Sequence, residues 1–381
     1  QGHAIAQAAL GSHYSHGCGA PRDDHQAENW YRKAAEQGFA IAQNDLGVFY
    51  MEGRGGLPKD EALAEVWFKR AAEQGFAKAQ TNLGDILLAG RCRPKDVKRA
   101  MEYYRQAAEQ GFAPAQNCLG YIYGKDGTKD SAEAAKWFRL AAEQGFPQSQ
   151  FNLGRLYLLG DGVPKDVAEA IKWFRKAAEQ GFAQAQGALG IYLASGVGVP
   201  EDRFEAANWW LKGAEQGDAT SQVSLGAYYH TGQGGLTKDD ASAAKWYSKA
   251  AEQGLAKAQS YLADLYANGE GVPRDYAAAA SWWRRAAEQG HAVAQVNLGF
   301  CYANAKGVPQ DYVEAAKWYD LAAAQDLDVA KKALASIELS MTPQQIAEAR
   351  RLAKDFKPRT SQALDEPASR NSIPETVPLG R

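Results

Sequence analysis

The sequence repeats a five-residue phrase, Ala-Ala-Glu-Gln-Gly or a close variant, at intervals of 34 to 37 residues. The glycines that close this phrase, together with two matching glycines, open nine copies of one unit over residues 2–325. A period of this length is typical of a solenoid, in which each unit buries its apolar side only against its neighbours. The opening glycines are Gly2, Gly38, Gly75, Gly111, Gly145, Gly181, Gly217, Gly254 and Gly290.

Each copy has the pattern of two helices joined by a short turn. In the copy that opens at Gly145, the segment from Gly160 to Asp166 reads Gly-Asp-Gly-Val-Pro-Lys-Asp and breaks the first helix. Asp166 is a typical N-cap, and Glu169 completes the sequence of a capping box. The left-handed residue that ends the second helix is then Gly181. Because the connections are short, we predict antiparallel helix pairs. The same Asp and Glu recur as Asp130/Glu133, Asp202/Glu205 and Asp311/Glu314.

Comparison of the nine copies assigns the two faces of the first helix. Counted from the opening glycine, positions four, eight, nine and twelve are usually Ala, Leu, Gly and Tyr, and they fall on one side of a helix. Ala and Gly there would let the second helix approach closely. Positions three, six, seven, ten, thirteen and fourteen differ between copies and fall on another side. All ten Trp lie in second helices, and we interpret them as core residues rather than as a binding site.

These repeats resemble a known family. The pattern Ala-x-Ala-Gln-x-x-Leu-Gly-x-x-Tyr, then Gly-x-Gly-Val-Pro-x-Asp, then Ala-x-x-Trp-Tyr/Phe-x-x-Ala-Ala-Glu-Gln-Gly is similar to the Sel-1-like repeats, relatives of the tetratricopeptide repeats. The resemblance implies an all-α fold, a right-handed α/α superhelical solenoid whose first helices line a concave surface. It also implies a non-catalytic bacterial adaptor. The compartment stays open, with the periplasm, the envelope or the outside of the cell favoured over the cytoplasm. The sequence departs from the pattern at Tyr103, at the short turn 124–127 and at Asp326.

The segment after the repeats predicts a helical cap. Residues 326–357 read as a half repeat followed by a helix that begins with Thr342, Pro343 and Gln345, which are an N-cap, a first-turn proline and a capping-box partner. Apolar residues then recur at helical spacing on an otherwise charged helix, as a terminal cap requires. Residues 358–381 are rich in Pro, Ser and Thr, and we predict a disordered tail.

The first helix has no sequence before it that could cover its apolar residues, Ala4, Ile5, Ala8 and Ala9. A solenoid end of this kind needs a polar cap. Two interpretations stay open. A preceding segment completes the end, or a partner or a second copy covers it.

Composition argues against two classes of function. With 43 Lys and Arg against 45 Asp and Glu, the net charge of −2 does not favour a sequence-independent nucleic-acid binder. A helical-repeat RNA binder stays an alternative, but the basic residues of the variable face are offset by acidic ones. An enzyme is the other alternative, although the sequence offers no nucleophile–base pair, no phosphate loop and no metalloprotease motif. The offsetting residues are Lys78, Arg155 and Lys257 against Asp45, Asp85 and Asp264.

Two further groups of residues are weighed as possible sites. His13, His16, Cys18 and His25 are metal-ligand types, but the repeat places them in different parts of the unit, so we predict no metal and no cofactor. The four cysteines lie too far apart along the stack for disulfides and are expected to be free thiols. The uncharged stretch 181–200 contains five Gly and is not a membrane span. The cysteines are Cys18, Cys92, Cys118 and Cys301.

The predicted function is therefore binding of a protein or peptide partner, within a multiprotein complex, on the face formed by the first helices. In the middle repeats this face carries Tyr121, Phe151 and Arg155, and Asn82, Asn152 and Asn297 share position seven. Aromatic and Arg side chains are typical anchors of interfaces. Spaced carboxamides can donate to and accept from a peptide backbone. The alternative for the three asparagines is that they bond to the neighbouring repeat.

Overall fold

A computed structural model describes residues 3–19, 21–90, 94–125 and 130–359. In these ranges the chain forms twenty α-helices and no strand, which confirms the all-α prediction. The chain divides into two compact units, Gln1–Lys176 and Ala177–Arg381. In each unit, consecutive antiparallel helix pairs stack one repeat after another, so that each is an all-α solenoid.

The helices of the first unit are α1 (Ala4–His16), α2 (Asp24–Glu36), α3 (Ala40–Glu52), α4 (Glu61–Glu73), α5 (Ala77–Ala89), α6 (Val97–Glu109), α7 (Ala113–Lys125), α8 (Ser131–Glu143) and α9 (Pro147–Leu159). The division between the units falls within α10 (Val167–Glu179). The second unit continues with α11 (Ala183–Ser195), α12 (Arg203–Glu215), α13 (Ala219–Thr231), α14 (Asp240–Glu252), α15 (Ala256–Asn268), α16 (Tyr276–Glu288), α17 (Ala292–Ala303), α18 (Tyr312–Ala323), α19 (Asp328–Glu338) and α20 (Pro343–Asp355).

The predicted helix caps form, with one correction. The Asp166 carboxylate accepts a hydrogen bond from the backbone N–H of Glu169 (2.9 Å), as an N-cap should. The second half of this box does not form, because the backbone N–H of Asp166 donates to the carbonyl oxygen of Tyr157 (2.9 Å) and the Glu169 carboxylate pairs with Lys172 Nζ (2.9 Å). The backbone N–H groups of Asp130 and Asp311 are engaged by the first helix in the same way, so these capping boxes are also half formed. The complete box predicted at Thr342 and Gln345 is present.

The packing of first against second helices follows the near-invariant glycines at position nine, as predicted. In eight repeats a Cβ at position nine would overlap an aromatic ring of the same repeat's second helix; at Gly84 it would lie 2.7 Å from Tyr104. The two helices therefore approach closely only because a side chain is missing. The tryptophans are core residues, as expected. Six of the ten are buried, and the other four are partly buried.

A glutamine ladder, which the sequence analysis missed, connects successive repeats. In the eighth repeat Gln259 Nε2 donates to the carbonyl oxygen of Ala251, near the end of the preceding second helix (3.1 Å). Gln289, from the Glu-Gln-Gly phrase of the same repeat, donates its Nε2 to Gln259 Oε1 (2.9 Å). Each buried glutamine thus satisfies the end of one repeat and is held by the end of the next. The same arrangement recurs at Gln43/Gln74, Gln80/Gln110, Gln116/Gln144, Gln186/Gln216, Gln222/Gln253 and Gln295/Gln325.

Replacing Gln259 with leucine should lower the free energy of unfolding by about 1 kcal/mol, because two buried side-chain hydrogen bonds are lost. The loss stays moderate because the Ala251 carbonyl oxygen still accepts from the backbone N–H of Gly254 (3.0 Å), and Gln289 still donates to the carbonyl oxygen of Gly254 (2.9 Å). Equilibrium unfolding in urea measures the change. Gln344→Leu is the matched control, because Gln344 is exposed, and it should change the stability by less than about 0.5 kcal/mol. Equal effects of the two substitutions would contradict a structural role for the ladder.

The C-terminal helix α20 packs against the second helix α18. Ala349 and Ala353 of α20 are buried, and the Phe356 ring meets the edge of Trp318 at 5.5 Å between centroids. The predicted tail begins at residue 358, but the backbone N–H of Arg359 still donates to the carbonyl oxygen of Glu288 (2.8 Å). The rest of the predicted tail, 360–381, lies outside the described residues.

Candidate functional site

In the first unit, three of the predicted contact residues lie on neighbouring first helices. Tyr121 is on α7, whereas Phe151 and Arg155 are on α9, and all three side chains are partly buried. The Phe151 ring packs on Phe174 of the second helix at 5.4 Å between centroids. Burial lowers the pKa of the Arg155 guanidinium, and the charge of that group interacts with Tyr121. The structure therefore brings two aromatic rings and a cation together on one part of the first-helix face.

The three predicted asparagines bond to the preceding repeat, so the structure favours the second of the two roles weighed for them. Asn82 Nδ2 donates to Asn44 Oδ1 (2.8 Å), and Asn152 Nδ2 donates to Asn117 Oδ1 (3.3 Å). In the second unit, Asn297 Nδ2 donates to Asp264 Oδ1 (3.2 Å). Each carboxamide thus uses a donor between repeats. The Asn152 Oδ1 atom is buried and accepts no hydrogen bond from the described residues.

The second unit contains a cleft that the sequence analysis did not find. Its cavity has a volume of about 770 Å³ and is bounded by the first helices α13, α15 and α17 and the second helices α14 and α16. Five of its fourteen lining residues are Phe, Tyr or Trp, and the rings of Tyr247 and Tyr261 pack at 5.2 Å between centroids. We call this cavity the Asp264 cleft, after the carboxylate in its wall.

The main electrostatic feature of the Asp264 cleft is a carboxylate that is partly shielded from water. Burial raises the pKa of Asp264 to about 6, although hydrogen bonds from Trp283 Nε1 (3.0 Å) and Asn297 act in the opposite direction. The nearby charge of Glu270 raises this pKa further, whereas His230 lowers it. The pKa of the Tyr247 hydroxyl is also raised, mainly by burial.

The sequence held a signal for this cleft that we did not use. Position nine is Gly in eight repeats but Ala263 in the eighth, where the facing ring is Trp283. In the sixth repeat, which keeps the glycine, the corresponding Trp210 donates its Nε1–H to the backbone oxygen of Gly187 (3.1 Å). In the eighth repeat the indole N–H instead meets Asp264 at position ten. The combination of Ala, Asp and Trp therefore distinguishes the eighth repeat.

The histidines and cysteines near the beginning of the chain do not converge on one point. His13 Nδ1 lies 2.8 Å from the carbonyl oxygen of Cys18, and His16 Nδ1 lies 2.9 Å from that of Ser12. Within the described ranges no group of three or more His, Cys, Asp or Glu could hold a metal ion. Cys18 and Cys301 are free thiols, and burial raises the pKa of Cys301 to about 11. Cys92 lies outside the described residues.

No helix in the described part of the chain combines the length and apolar character that crossing a membrane requires. The uncharged stretch at the sixth repeat is instead α11 and the turn after it.

Comparisons with known proteins agree with this architecture. The model of the Sel1 repeat matches nine times, at residues 4–39, 40–76, 77–112, 113–146, 147–182, 183–218, 219–255, 256–291 and 292–327. No curated protein matches the chain significantly. Among solved structures, the chain is similar to c5321, a protective antigen of uropathogenic Escherichia coli strains with an SLR fold. The two are 33% identical over 98% of this chain and 89% of that one, with a TM-score of 0.56.

A second similar structure is a Sel1 repeat protein from Oxalobacter formigenes. It is 32% identical to this chain, covers 81% of it and 89% of its own length, and has a TM-score of 0.57. Nine matches that together span residues 4–327 leave little of the chain outside the repeats. The protein belongs to the Sel1 repeat family, whose members generally serve as protein-interaction scaffolds.

Proposed function

We propose that this protein is a non-catalytic scaffold that binds a protein or peptide partner on the face formed by its first helices. The observation that carries the proposal is the grouping of Tyr121, Phe151 and Arg155 in the first unit. Aromatic and arginine side chains that are partly desolvated before binding are the usual anchors of protein interfaces. The other side of the same helices is occupied by packing against the second helices.

The chemistry of the repeats supports binding rather than catalysis. The residues that recur in each copy have structural partners: the glutamines form the ladder, the aspartates cap helices, and the glycines make room for rings. The residues that differ between copies are therefore the ones that can set specificity, apart from the asparagines that bond to the preceding repeat. An RNA partner is disfavoured because Asp45, Asp85 and Asp264 lie among the basic residues of that face.

The test is affinity capture from the native source with the full chain as bait, compared with a variant carrying Tyr121→Ala, Phe151→Ala and Arg155→Ala. We expect the proteins captured specifically by the original chain to be lost from the variant, because interface anchors carry most of the binding free energy. Mass spectrometry with isotope-labelled samples measures the ratio for each captured protein.

The matched control changes Lys136, Leu140 and Lys172 to alanine. These residues are exposed and lie on the second helices of the same repeats, so they alter a comparable amount of surface on the opposite helix. Thermal unfolding of both variants verifies that they fold. A folded variant that still captures the same partners, or equal losses in both variants, would refute the assignment of this face.

A further inference from the structure

The Asp264 cleft has a wall suited to a cation with an aliphatic stem. Tyr261 and Phe300 supply rings that are at least partly exposed, whereas the rings of Tyr247 and Trp283 are buried. No lysine or arginine lines the cavity itself, and the nearest cation to these rings is Lys257, whose Nζ lies 5.7 Å from the centroid of the Tyr261 ring. The faces of such rings attract positive charge, and their edges and the adjacent apolar atoms accommodate methylene groups. The wall therefore suits both parts of a long basic side chain, its charged end and its methylene stem.

The charges in the cleft are also complementary to a cation. Asp264 and Glu270 line it, and His230, the basic group of the wall, has its Nδ1 2.6 Å from Asp240 Oδ1. The two side chains that hydrogen-bond to the Asp264 carboxylate, Trp283 and Asn297, donate to the same oxygen, Oδ1. Among the described residues none donates to Oδ2, which leaves one carboxylate oxygen for a ligand.

We propose that the Asp264 cleft binds a lysine or arginine side chain of a partner protein. The Asp264 carboxylate pairs with the ammonium or guanidinium group, while the aromatic rings enclose the methylene stem. Trp283 and Asn297 position the carboxylate through their hydrogen bonds to Oδ1. This inference deepens the proposed function and rests on it, since it names the chemistry of one residue of the partner.

The energetics favour a cation over a neutral guest. A carboxylate partly removed from water lacks solvation that an ion pair would restore, and its raised pKa records that deficit. A charge-assisted hydrogen bond in such a place is about twice as strong as a neutral one. An apolar side chain would fill the cavity but would leave the carboxylate desolvated and unpaired, which is unfavourable.

The experiment uses the full chain and three capped tripeptides, with lysine, arginine or norleucine between two glycines. Binding is followed through the indole N–H signals of ¹⁵N-labelled tryptophan, because the Trp283 N–H donates to Asp264 and reports directly on the cleft. The signal that moves in Asp264→Asn identifies Trp283. We expect saturable shifts with the lysine or arginine peptide. The norleucine peptide should bind at least about tenfold more weakly.

Two variants provide the controls. Asp264→Asn keeps an acceptor for Trp283 but removes the charge, and it should reduce binding of the basic peptides about tenfold. Asp85→Asn is its match in the third repeat, because Asp85 also holds position ten and accepts from a second-helix side chain, the Tyr104 hydroxyl (2.7 Å); it should leave binding unchanged.

The outcomes separate this inference from the proposed function. A preference for lysine or for arginine supports the site and identifies the residue it takes. Equal binding of norleucine, unaltered binding by Asp264→Asn, or no binding of any peptide would overturn the cleft assignment. None of these three results would alter the capture experiment on Tyr121, Phe151 and Arg155, which tests the scaffold function in the other unit.

Discussion

Gly271→Ala should be among the most destabilising single substitutions in the second unit, lowering the free energy of unfolding by about 3 kcal/mol. Gly271 is the second glycine of the turn in the eighth repeat, with φ of +68°. A Cβ there would overlap the backbone carbonyl group of Asp240 and would lie 2.5 Å from the nitrogen of Ala241. Those atoms belong to the start of α14 in the preceding repeat. Backbone strain and the overlap therefore add, because a main chain cannot move aside as a flexible side chain can.

Gly254→Ala is the matched control for this substitution. Gly254 also has a positive φ, +93°, but no heavy atom lies within 4 Å of where its Cβ would be. Only the backbone strain remains, so we expect a loss of about 1 kcal/mol. Urea unfolding of the two variants measures the difference between strain alone and strain with a clash. Equal losses would show that the turn glycine does not hold neighbouring repeats together.

Most of the fold could be predicted because the same sequence pattern occurs nine times in the chain. A single helix boundary in one sequence is uncertain, but a boundary repeated at Asp166, Asp202 and Asp311 in the same phase is supported by the agreement of the copies. The approach of the two helices was also predictable, since an invariant glycine on an otherwise apolar face indicates that another element packs closely there. Local rules repeated in register determine a solenoid.

What the sequence did not reveal depends on which groups meet across repeats. The glutamine of the Glu-Gln-Gly phrase makes a contact between repeats, but nothing in the phrase indicates that its partner lies thirty residues earlier, as Gln289 and Gln259 show. The capping boxes failed for a similar reason, because the backbone N–H of Asp166 donates to the carbonyl oxygen of Tyr157 in the other helix and has no second hydrogen for Glu169.

The candidate sites were predicted only in part. The position-seven asparagines lie on the variable face, which made them candidates for binding a partner. In the structure each of them bonds to the preceding repeat, and the sequence alone did not distinguish these two roles. The Asp264 cleft could have been found from the positions at which one repeat departs from the others. A departure from an invariant position, Ala263 in place of glycine, was the informative residue, and departures stand out only when the reason for the invariance is known.

Gly154→Ala tests that reason in the first unit. Alanine is normally the better helix former by about 1 kcal/mol, so the substitution would stabilise an isolated α9. In the folded protein its Cβ would lie 2.7 Å from Phe174 Cε1 and 3.0 Å from the backbone oxygen of Ala170. Moving a buried ring out of such contact costs about 1–3 kcal/mol and occasionally more. We therefore expect a net loss of about 2 kcal/mol in the free energy of unfolding, measured in urea.

Gly124→Ala is the matched control, and the sign of the change in the free energy of unfolding distinguishes the two substitutions. Gly124 is also a helical glycine on a first helix, α7, but the nearest atom to its Cβ position is the Ala134 Cβ at 3.8 Å, an ordinary contact. That substitution should stabilise the protein by up to about 1 kcal/mol, because only the helix preference remains. Opposite signs for the same chemical change would establish that position nine is glycine because of the facing ring. A gain at both positions would mean that Phe174 yields without cost, and that glycine at position nine is not required by the packing.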